Sequence, residues 1–104
     1  MKKNFDCIII GYGPVGALLS IFLSKLGLSV AVIDKNLDIY PLPRAIHFDE
    51  EVMRIFQMVN LSDQISKISR IGTKGMHFVD NEDNILMVRK VSDDIGEPGW
   101  QKSW

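Results

Sequence analysis

Two short segments near the start of the chain are dominated by apolar residues. The first runs from Phe5 to Ile10 and ends in Cys7-Ile8-Ile9-Ile10, and the second runs from Ser29 to Ile33. Continuous β-branched runs of this length predict strands that are buried on both faces, as in a parallel sheet. Between them, apolar residues recur with the spacing of a helix that has one apolar face. The members of that face are Val15, Leu18, Leu19, Phe22, Leu23 and Leu26.

The middle of the chain has a different pattern. After Asp34, the segment Tyr40-Pro41-Leu42-Pro43 is held extended by its prolines. Asp49 is the predicted N-cap of a helix that ends near Val59. Its apolar face consists of Val52, Ile55, Phe56 and Val59. Ser62 is predicted to cap a shorter helix that contains Ile65 and Ile68.

Two further apolar segments predict an antiparallel hairpin. Residues 75–79 and 85–88 flank the polar turn at 80–84, and the alternation in the first strand predicts a hairpin with unequal faces. Residues 91–98 are predicted to be loop. The predicted fold class is α/β, a Rossmann-like β-α-β start with an antiparallel hairpin insertion. Because two parallel strands are only the beginning of such a sheet, residues 1–104 are interpreted as an incomplete, N-terminal part of a larger domain.

The turn between the first strand and the first helix carries the motif G-x-G-x-x-G at Gly11, Gly13 and Gly16. In a dinucleotide-binding fold the first glycine permits the tight turn, and the second lets the backbone approach a pyrophosphate. The third lets the helix pack close to the strand. Pro14 falls at the first helical position, where its missing N–H has no consequence. Phosphates bind at this end of a helix because its first N–H groups are unpaired and its dipole is positive there.

Asp34 supports the same interpretation. It closes the second strand, 23 positions after Gly11, where such folds place an acid that binds a ribose hydroxyl. A dinucleotide site is predicted more specifically by the combination of the strand, the glycine motif, the helix and the strand-end acid than by the glycines alone. The alternative is a glycine turn in an unrelated α/β protein, with Asp34 as a solvated strand end.

Composition and charge narrow the classes of function. The 104 residues are 46% hydrophobic and carry a net charge of −1, which gives no basic surface for nucleic acid and no polybasic membrane patch. The single cysteine, Cys7, excludes an internal disulfide and fits a reducing compartment. Asp6 interrupts the first apolar run, so it does not match a secretory signal. We therefore expect a cytoplasmic protein without a membrane segment.

The segment P-R-A-I-H-F-D-E-E at residues 43–51 carries a more specific resemblance. Together with D-C-I-I-I-G-Y-G-P-V-G, the V-I-D strand end, the G-M-H-F-V-D hairpin and the terminal G-W, it resembles the class A flavoprotein monooxygenases. Within them, it is most similar to the 3-(3-hydroxyphenyl)propionate hydroxylases. The resemblance covers essentially the whole chain, and it implies an N-terminal part of an FAD-binding domain.

The resemblance also implies roles for individual residues. Gly11, Gly13 and Gly16 would hold the FAD pyrophosphate, with the backbone at Pro14 and Val15 close to it. Asp34 would bind the adenosine ribose, at a position where the family usually has glutamate. Lys35 would line the adenosine end of the site. Arg44 would approach the phosphate and ribityl region, for which a guanidinium is well suited; without the resemblance it is a surface arginine after a proline turn.

The implied reaction needs no catalytic side chain or metal cluster in this segment. In the family, NAD(P)H transiently reduces FAD, and the reduced flavin uses O₂ to hydroxylate a phenolic ring. The small-molecule substrate would bind beyond residue 104, so the chain alone is expected to be inactive. Two alternatives stay open: an NAD-binding dehydrogenase, and a non-catalytic nucleotide-binding module. His47 and His77 are interpreted as structural histidines, although contact of His47 with flavin or substrate is the alternative.

Overall fold

The computed structural model describes residues 4–43, 46–91 and 94–104. It divides into two compact units, Met1–Arg44 and Ala45–Trp104. The N-terminal unit contains β1 (Cys7–Ile10), α1 (Pro14–Lys25) and β2 (Val30–Ile33). The C-terminal unit contains α2 (Glu50–Met58), α3 (Ser62–Ile68), β3 (Met76–Val79) and β4 (Ile85–Arg89). The predicted order of elements is confirmed.

In the N-terminal unit β1 and β2 are parallel neighbours. Their register runs from Cys7 opposite Val30 to Ile10 opposite Ile33, as expected for a β-α-β unit. At the beginning of the two strands, the Asp6 carboxylate accepts a hydrogen bond from the Ser29 backbone N–H (2.7 Å). The Asp6 N–H donates in return to the Ser29 carbonyl (3.0 Å). These bonds hold the amino ends of both strands together.

Burial in this small sheet differs from the prediction. Ile9 is 7% exposed, whereas Ile8 and Ile10 are 58% and 87% exposed. Successive side chains of a strand point to opposite faces, and α1, the only helix among the described residues of this unit, packs on the face that carries Ile9. Burial of β1 on both faces is therefore wrong for the described residues, because one helix can cover only one face.

The predicted apolar face of α1 is only partly correct. Leu18, Phe22 and Leu23 are half-buried, but Val15, Leu19 and Leu26 are exposed. The half-buried positions instead include Ala17, Ser20 and Ile21. This helix is apolar on nearly all sides, so spacing alone could not identify the side that faces two strands. Its end is as predicted: Gly27 has φ +82° and donates to the Ser24 carbonyl (3.0 Å).

The two helices of the C-terminal unit begin in different ways. The Asp49 carboxylate accepts the Val52 N–H (3.1 Å), which confirms it as the N-cap of α2. Ser62 is not a cap; it is the first residue of α3 and is buried, while Leu61 occupies the cap position without a side-chain hydrogen bond. The helix starts early because Asn60, at φ +61°, reverses the chain directly after α2.

An aromatic cluster lies beside α2. Met53 is fully buried, and Val59 is 8% exposed. The Phe48 ring packs edge-on against Phe56 (5.6 Å between centroids) and stacks on Trp104 (6.4 Å), which in turn contacts Trp100 (6.1 Å). The backbones of Phe48 and Trp104 also exchange two hydrogen bonds of 3.1 and 2.9 Å. The tail, with its two half-buried tryptophans, therefore packs on the aromatic side chains of this unit.

Strands β3 and β4 form the predicted antiparallel hairpin. The register places Met76 opposite Arg89 and Phe78 opposite Met87, with a bulge before the pair Val79 and Ile85. Every residue of both strands is exposed. The predicted inequality of the two faces is therefore wrong for the described residues, because no helix of the unit packs on either face.

Candidate functional site

The glycine loop between β1 and α1 is attached to the end of β2. Gly11 has φ +102°, a conformation that favours glycine, and its N–H donates to the Ile33 carbonyl (2.7 Å). A Cβ on Gly16 would lie 2.1 Å from the Gly11 carbonyl oxygen and 3.4 Å from Ile9 Cγ2. The first and third glycines are thus required by the protein's own backbone geometry.

Gly13 is different. Its φ of −81° and ψ of −175° are extended values that any residue adopts, and a Cβ there would meet no heavy atom within 4 Å. Neither conformation nor packing within the described residues requires glycine at this position. An open space in front of a glycine backbone is what close approach of a ligand needs.

Helix α1 starts directly behind this space. Its first backbone hydrogen bond joins the Ala17 N–H to the Gly13 carbonyl (2.9 Å). The N–H groups of Gly13, Val15 and Gly16 come before that bond in the chain and have no acceptor within the helix. Pro14 has no N–H group. Val15 is 80% exposed, so the backbone at this end of the helix is accessible. The arrangement suits an anion on charge and hydrogen bonding.

Asp34 fastens the loop from the other side. One carboxylate oxygen accepts the Tyr12 N–H (2.7 Å), and the other accepts the Asn36 N–H (2.8 Å). The acid thus binds both the glycine loop and the turn that follows β2. Because the Tyr12 N–H already donates to Asp34, it is not available to a bound anion. The N–H groups that remain for an anion belong to the residues after Tyr12.

A cleft of about 700 Å³ opens at the carboxyl ends of β1 and β2, where ligands bind in open α/β sheets. Its volume is in the range of small-molecule sites. It is lined by Ile10, Gly11, Tyr12, Gly13, Ile33, Asp34, Lys35, Asn36, Leu37, Asp38, Ile39, Tyr40 and Leu42. One side of the cleft is glycine backbone, and the other is the mixed polar and apolar segment after β2.

The structure brings together most of the residues predicted from sequence. Gly11, Gly13, Asp34 and Lys35 line one cleft; Gly16 lies beneath the loop, and Pro14 and Val15 begin α1. Arg44 lies outside the described residues. The sequence analysis did not identify Tyr12 or Tyr40 as part of the site. Tyr40 could have been predicted from the nearby prolines at 41 and 43, because they hold that segment in one conformation.

His47 has a partner in the C-terminal unit. Its Nε2 lies 2.9 Å from the hydroxyl oxygen of Ser103, a residue only 5% exposed. Ser103 also accepts the Gly72 N–H at its carbonyl (3.0 Å). This contact supports the structural interpretation of His47, because it connects the segment before α2 to the tail of the same unit.

None of the helices in the described ranges is long and apolar enough to cross a bilayer. The same ranges contain no group of three or more His, Cys, Asp or Glu side chains placed to hold a metal ion.

Comparisons with known proteins agree with this geometry. A family described as "FAD binding domain" matches residues 4–97. A probable NADH-specific resorcinol 4-hydroxylase from Rhodococcus jostii is 33% identical over 95% of this chain and 18% of its own length. A 3-(3-hydroxy-phenyl)propionate/3-hydroxycinnamic acid hydroxylase from Paraburkholderia xenovorans is 45% identical over 56% of this chain and 9% of its own length.

A solved structure shows the same fold. The chain superimposes on aklavinone-11 hydroxylase, in a complex with FAD and aklavinone, with a TM-score of 0.60 and 19% identity. That match covers 91% of this chain and 18% of the hydroxylase. The chain therefore spans less than a fifth of the length of these relatives.

Proposed function

The chain belongs to the family of FAD-binding domains, and from that premise we propose that it holds FAD as the N-terminal part of a longer flavin-dependent aromatic monooxygenase. The whole protein would hydroxylate a small phenolic substrate with NAD(P)H and O₂. FAD supplies the redox chemistry when it is bound, while this chain binds and orients it. The chain alone is not expected to hydroxylate anything, and a cytoplasmic location belongs to the same proposal.

The observation that carries the proposal is the open space at Gly13. The protein itself does not need glycine there, and the N–H groups of the helix start lie next to it. A pyrophosphate accounts for both features, since its oxygens accept backbone N–H groups and its size excludes a Cβ. We therefore place the FAD pyrophosphate at Gly11, Gly13 and Gly16, with Pro14 and Val15 beside it.

Asp34 and Lys35 would line the adenosine end of the same cleft. A carboxylate has about four acceptor positions, so the bonds from Tyr12 and Asn36 do not by themselves prevent Asp34 from accepting a ribose hydroxyl. Asp34 would also disfavour a 2′-phosphate by charge, which argues against NADP as the ligand of this motif. Arg44 is proposed to approach the phosphate and ribityl region on the basis of sequence resemblance.

The test is an FAD titration of the longest natural form of the polypeptide, followed by visible absorption. Wild type should bind FAD and show flavin bands, and NADH or NADPH should bleach them faster when a phenylpropionate phenol is present. Gly13→Val should lower FAD affinity at least tenfold by placing a β-branched side chain in the pyrophosphate space. Its unfolding midpoint should stay near wild type, because the extended backbone at position 13 accepts valine.

Gly16→Ala is the contrasting variant. Its Cβ would collide with the Gly11 carbonyl, so both FAD affinity and folding of the N-terminal unit should decline. Unchanged flavin affinity in Gly13→Val would overturn the placement of the pyrophosphate. Tight NAD binding without flavin would favour a dehydrogenase, and a folded protein that binds neither cofactor would favour a non-catalytic module.

A further inference from the structure

Asp34 uses both carboxylate oxygens as acceptors for backbone N–H groups at the edge of the cleft. One bond, from the Tyr12 N–H, is 2.7 Å long and joins residues 22 positions apart. The other, from the Asn36 N–H, is 2.8 Å long and local. The long-range bond lies next to the bond from the Gly11 N–H to the Ile33 carbonyl (2.7 Å). Two successive N–H groups of the glycine loop are therefore held by residues at the end of β2.

Burial contributes little to holding this part of the loop. Tyr12 is 51% exposed, and a Cβ at Gly13 would meet no heavy atom within 4 Å. Pro14, at the start of α1, is exposed as well. A segment with few packing contacts keeps its conformation mainly through its polar contacts. Among the described residues, the bond from the Tyr12 N–H to Asp34 is therefore the main restraint on the loop directly before Gly13.

The conformation of the loop decides whether the donors at the start of α1 act together. The N–H groups of Val15 and Gly16 belong to the helix, which fixes their direction. The Gly13 N–H belongs to the planar peptide that follows Tyr12, so its direction changes when the Tyr12 backbone rotates. A loop that samples several conformations binds its ligand less tightly, because only the competent fraction of molecules accepts it.

We propose that Asp34 is a positioning residue for the pyrophosphate: its bond to the Tyr12 N–H keeps the Gly13 N–H in the orientation that binds a diphosphate. Asp34 then strengthens the binding of a diphosphate even when the ligand has no ribose hydroxyls. This inference rests on the proposed function and adds a second role to Asp34 besides ribose binding. The affinity rises because a loop that is already ordered loses less conformational entropy when the ligand binds.

Charge alone predicts the opposite effect. Asp34 and a diphosphate are both negative, so Coulomb repulsion in the cleft weakens the binding of the ligand when the carboxylate is present. If only charge acts, removal of the carboxylate should tighten diphosphate binding, whereas removal should weaken it if Asp34 positions the loop. A role limited to the ribose predicts no weakening for a ligand without ribose hydroxyls. The sign of the change therefore separates positioning from the other two roles.

The experiment uses the longest natural form of the polypeptide, freed of flavin, and two probes that compete with FAD: ADP and 2′,3′-dideoxy-ADP. Asp34→Ala should raise the dissociation constant of the dideoxy compound about fivefold. The loss for ADP should be at least as large, because its ribose hydroxyls lose an acceptor too. Asp34→Asn removes the same charge but keeps an oxygen that can accept the Tyr12 N–H, so it should recover part of the loss. Equal losses in the two variants, or no loss in Asp34→Ala, would overturn the proposal.

Asp6→Ala is the matched control. The Asp6 carboxylate also accepts a backbone N–H, that of Ser29 (2.7 Å), but at the amino ends of β1 and β2, away from the cleft. Its removal should destabilise the same unit and leave the affinity for the dideoxy compound unchanged. An equal loss of affinity in Asp6→Ala would indicate general destabilisation and contradict the positioning role. If wild type binds FAD but Asp34→Ala binds the dideoxy compound as wild type does, only this inference fails; if wild type binds no FAD, the proposed function fails with it.

Discussion

The two units of this chain use glycine and aromatic residues for different purposes. Among the described residues of the N-terminal unit, Ile9 is the only buried one, and Gly13 faces open space. In the C-terminal unit Met53 is fully buried and the rings of Phe48, Phe56, Trp100 and Trp104 pack on one another. The second unit is stabilised mainly by its own side chains, whereas the first presents backbone groups and a cleft to a ligand.

The space that a Cβ would find at each glycine shows the same difference between the two units. At Gly72 and Gly96 a Cβ would lie 2.5 Å from the Ser103 hydroxyl and 2.8 Å from the Glu50 side chain. Those glycines are explained by packing within the C-terminal unit. At Gly13 no protein atom accounts for the residue. This difference is why we propose that the space at Gly13 belongs to a bound pyrophosphate.

The largest expected effect breaks the packed unit. Met53→Ala removes a fully buried side chain and should lower the free energy of unfolding of the C-terminal unit by about 2–5 kcal/mol. Tryptophan fluorescence during urea unfolding measures this unit, because both tryptophans lie in it. Met58→Ala, at an exposed position of the same helix, should cost under about 1 kcal/mol. Equal losses in the two variants would contradict the assignment of Met53 as the core.

A smaller effect is expected at the glycine loop. Asp34→Ala removes the acceptor of the Tyr12 and Asn36 N–H groups and should destabilise the loop by about 1 kcal/mol. Amide hydrogen exchange at Tyr12 should accelerate in the protein without FAD. Asp38→Ala, in the same cleft, is the control and should leave that amide unchanged. If Tyr12 exchanged at the same rate in both variants, Asp34 would not hold the loop.

The smallest effect concerns the turn of the hairpin. The pKa of Asp80 is lowered first by the Asn84 side chain and then by the N–H groups of Glu82 and Asn84. Because the folded pKa lies below the unfolded one, the stabilisation is present above the unfolded pKa. It is lost as pH falls through the folded pKa. Asn84→Ala should raise the pKa of Asp80 toward its ordinary value in an NMR titration, whereas Asn81→Ala should not. A titration curve of Asp80 that Asn84→Ala leaves in place would refute this cause.

Much of the local structure could be predicted because its causes are local. Backbone demands at Gly11 and Gly27, the Asp49 cap and the apolar period of each strand act within a few residues of one another. The Ser62 prediction was wrong because the left-handed Asn60 set the start of α3. Nothing in the spacing of Ser62 could indicate that.

Burial was the least predictable property. The run Cys7 to Ile10 reads as a strand buried on both faces, yet exposure depends on which elements pack beside it, and α1 covers only one side. The same holds for the hairpin, whose alternation predicted two unequal faces although all of its residues are exposed. Periodicity reports what a side chain prefers, but the neighbours that satisfy the preference come from the tertiary structure.

The sequence by itself determined the β-α-β unit, the glycine turn, the acid at the end of β2 and the hairpin, because each depends on residue types at fixed short spacings. Only the tertiary structure showed that Asp34 holds the Tyr12 amide, that His47 meets Ser103 and that the tail packs on Phe48. These pairs are separated by 22 or more residues along the chain. Contacts at such separations form only when the chain folds, so no local pattern records them.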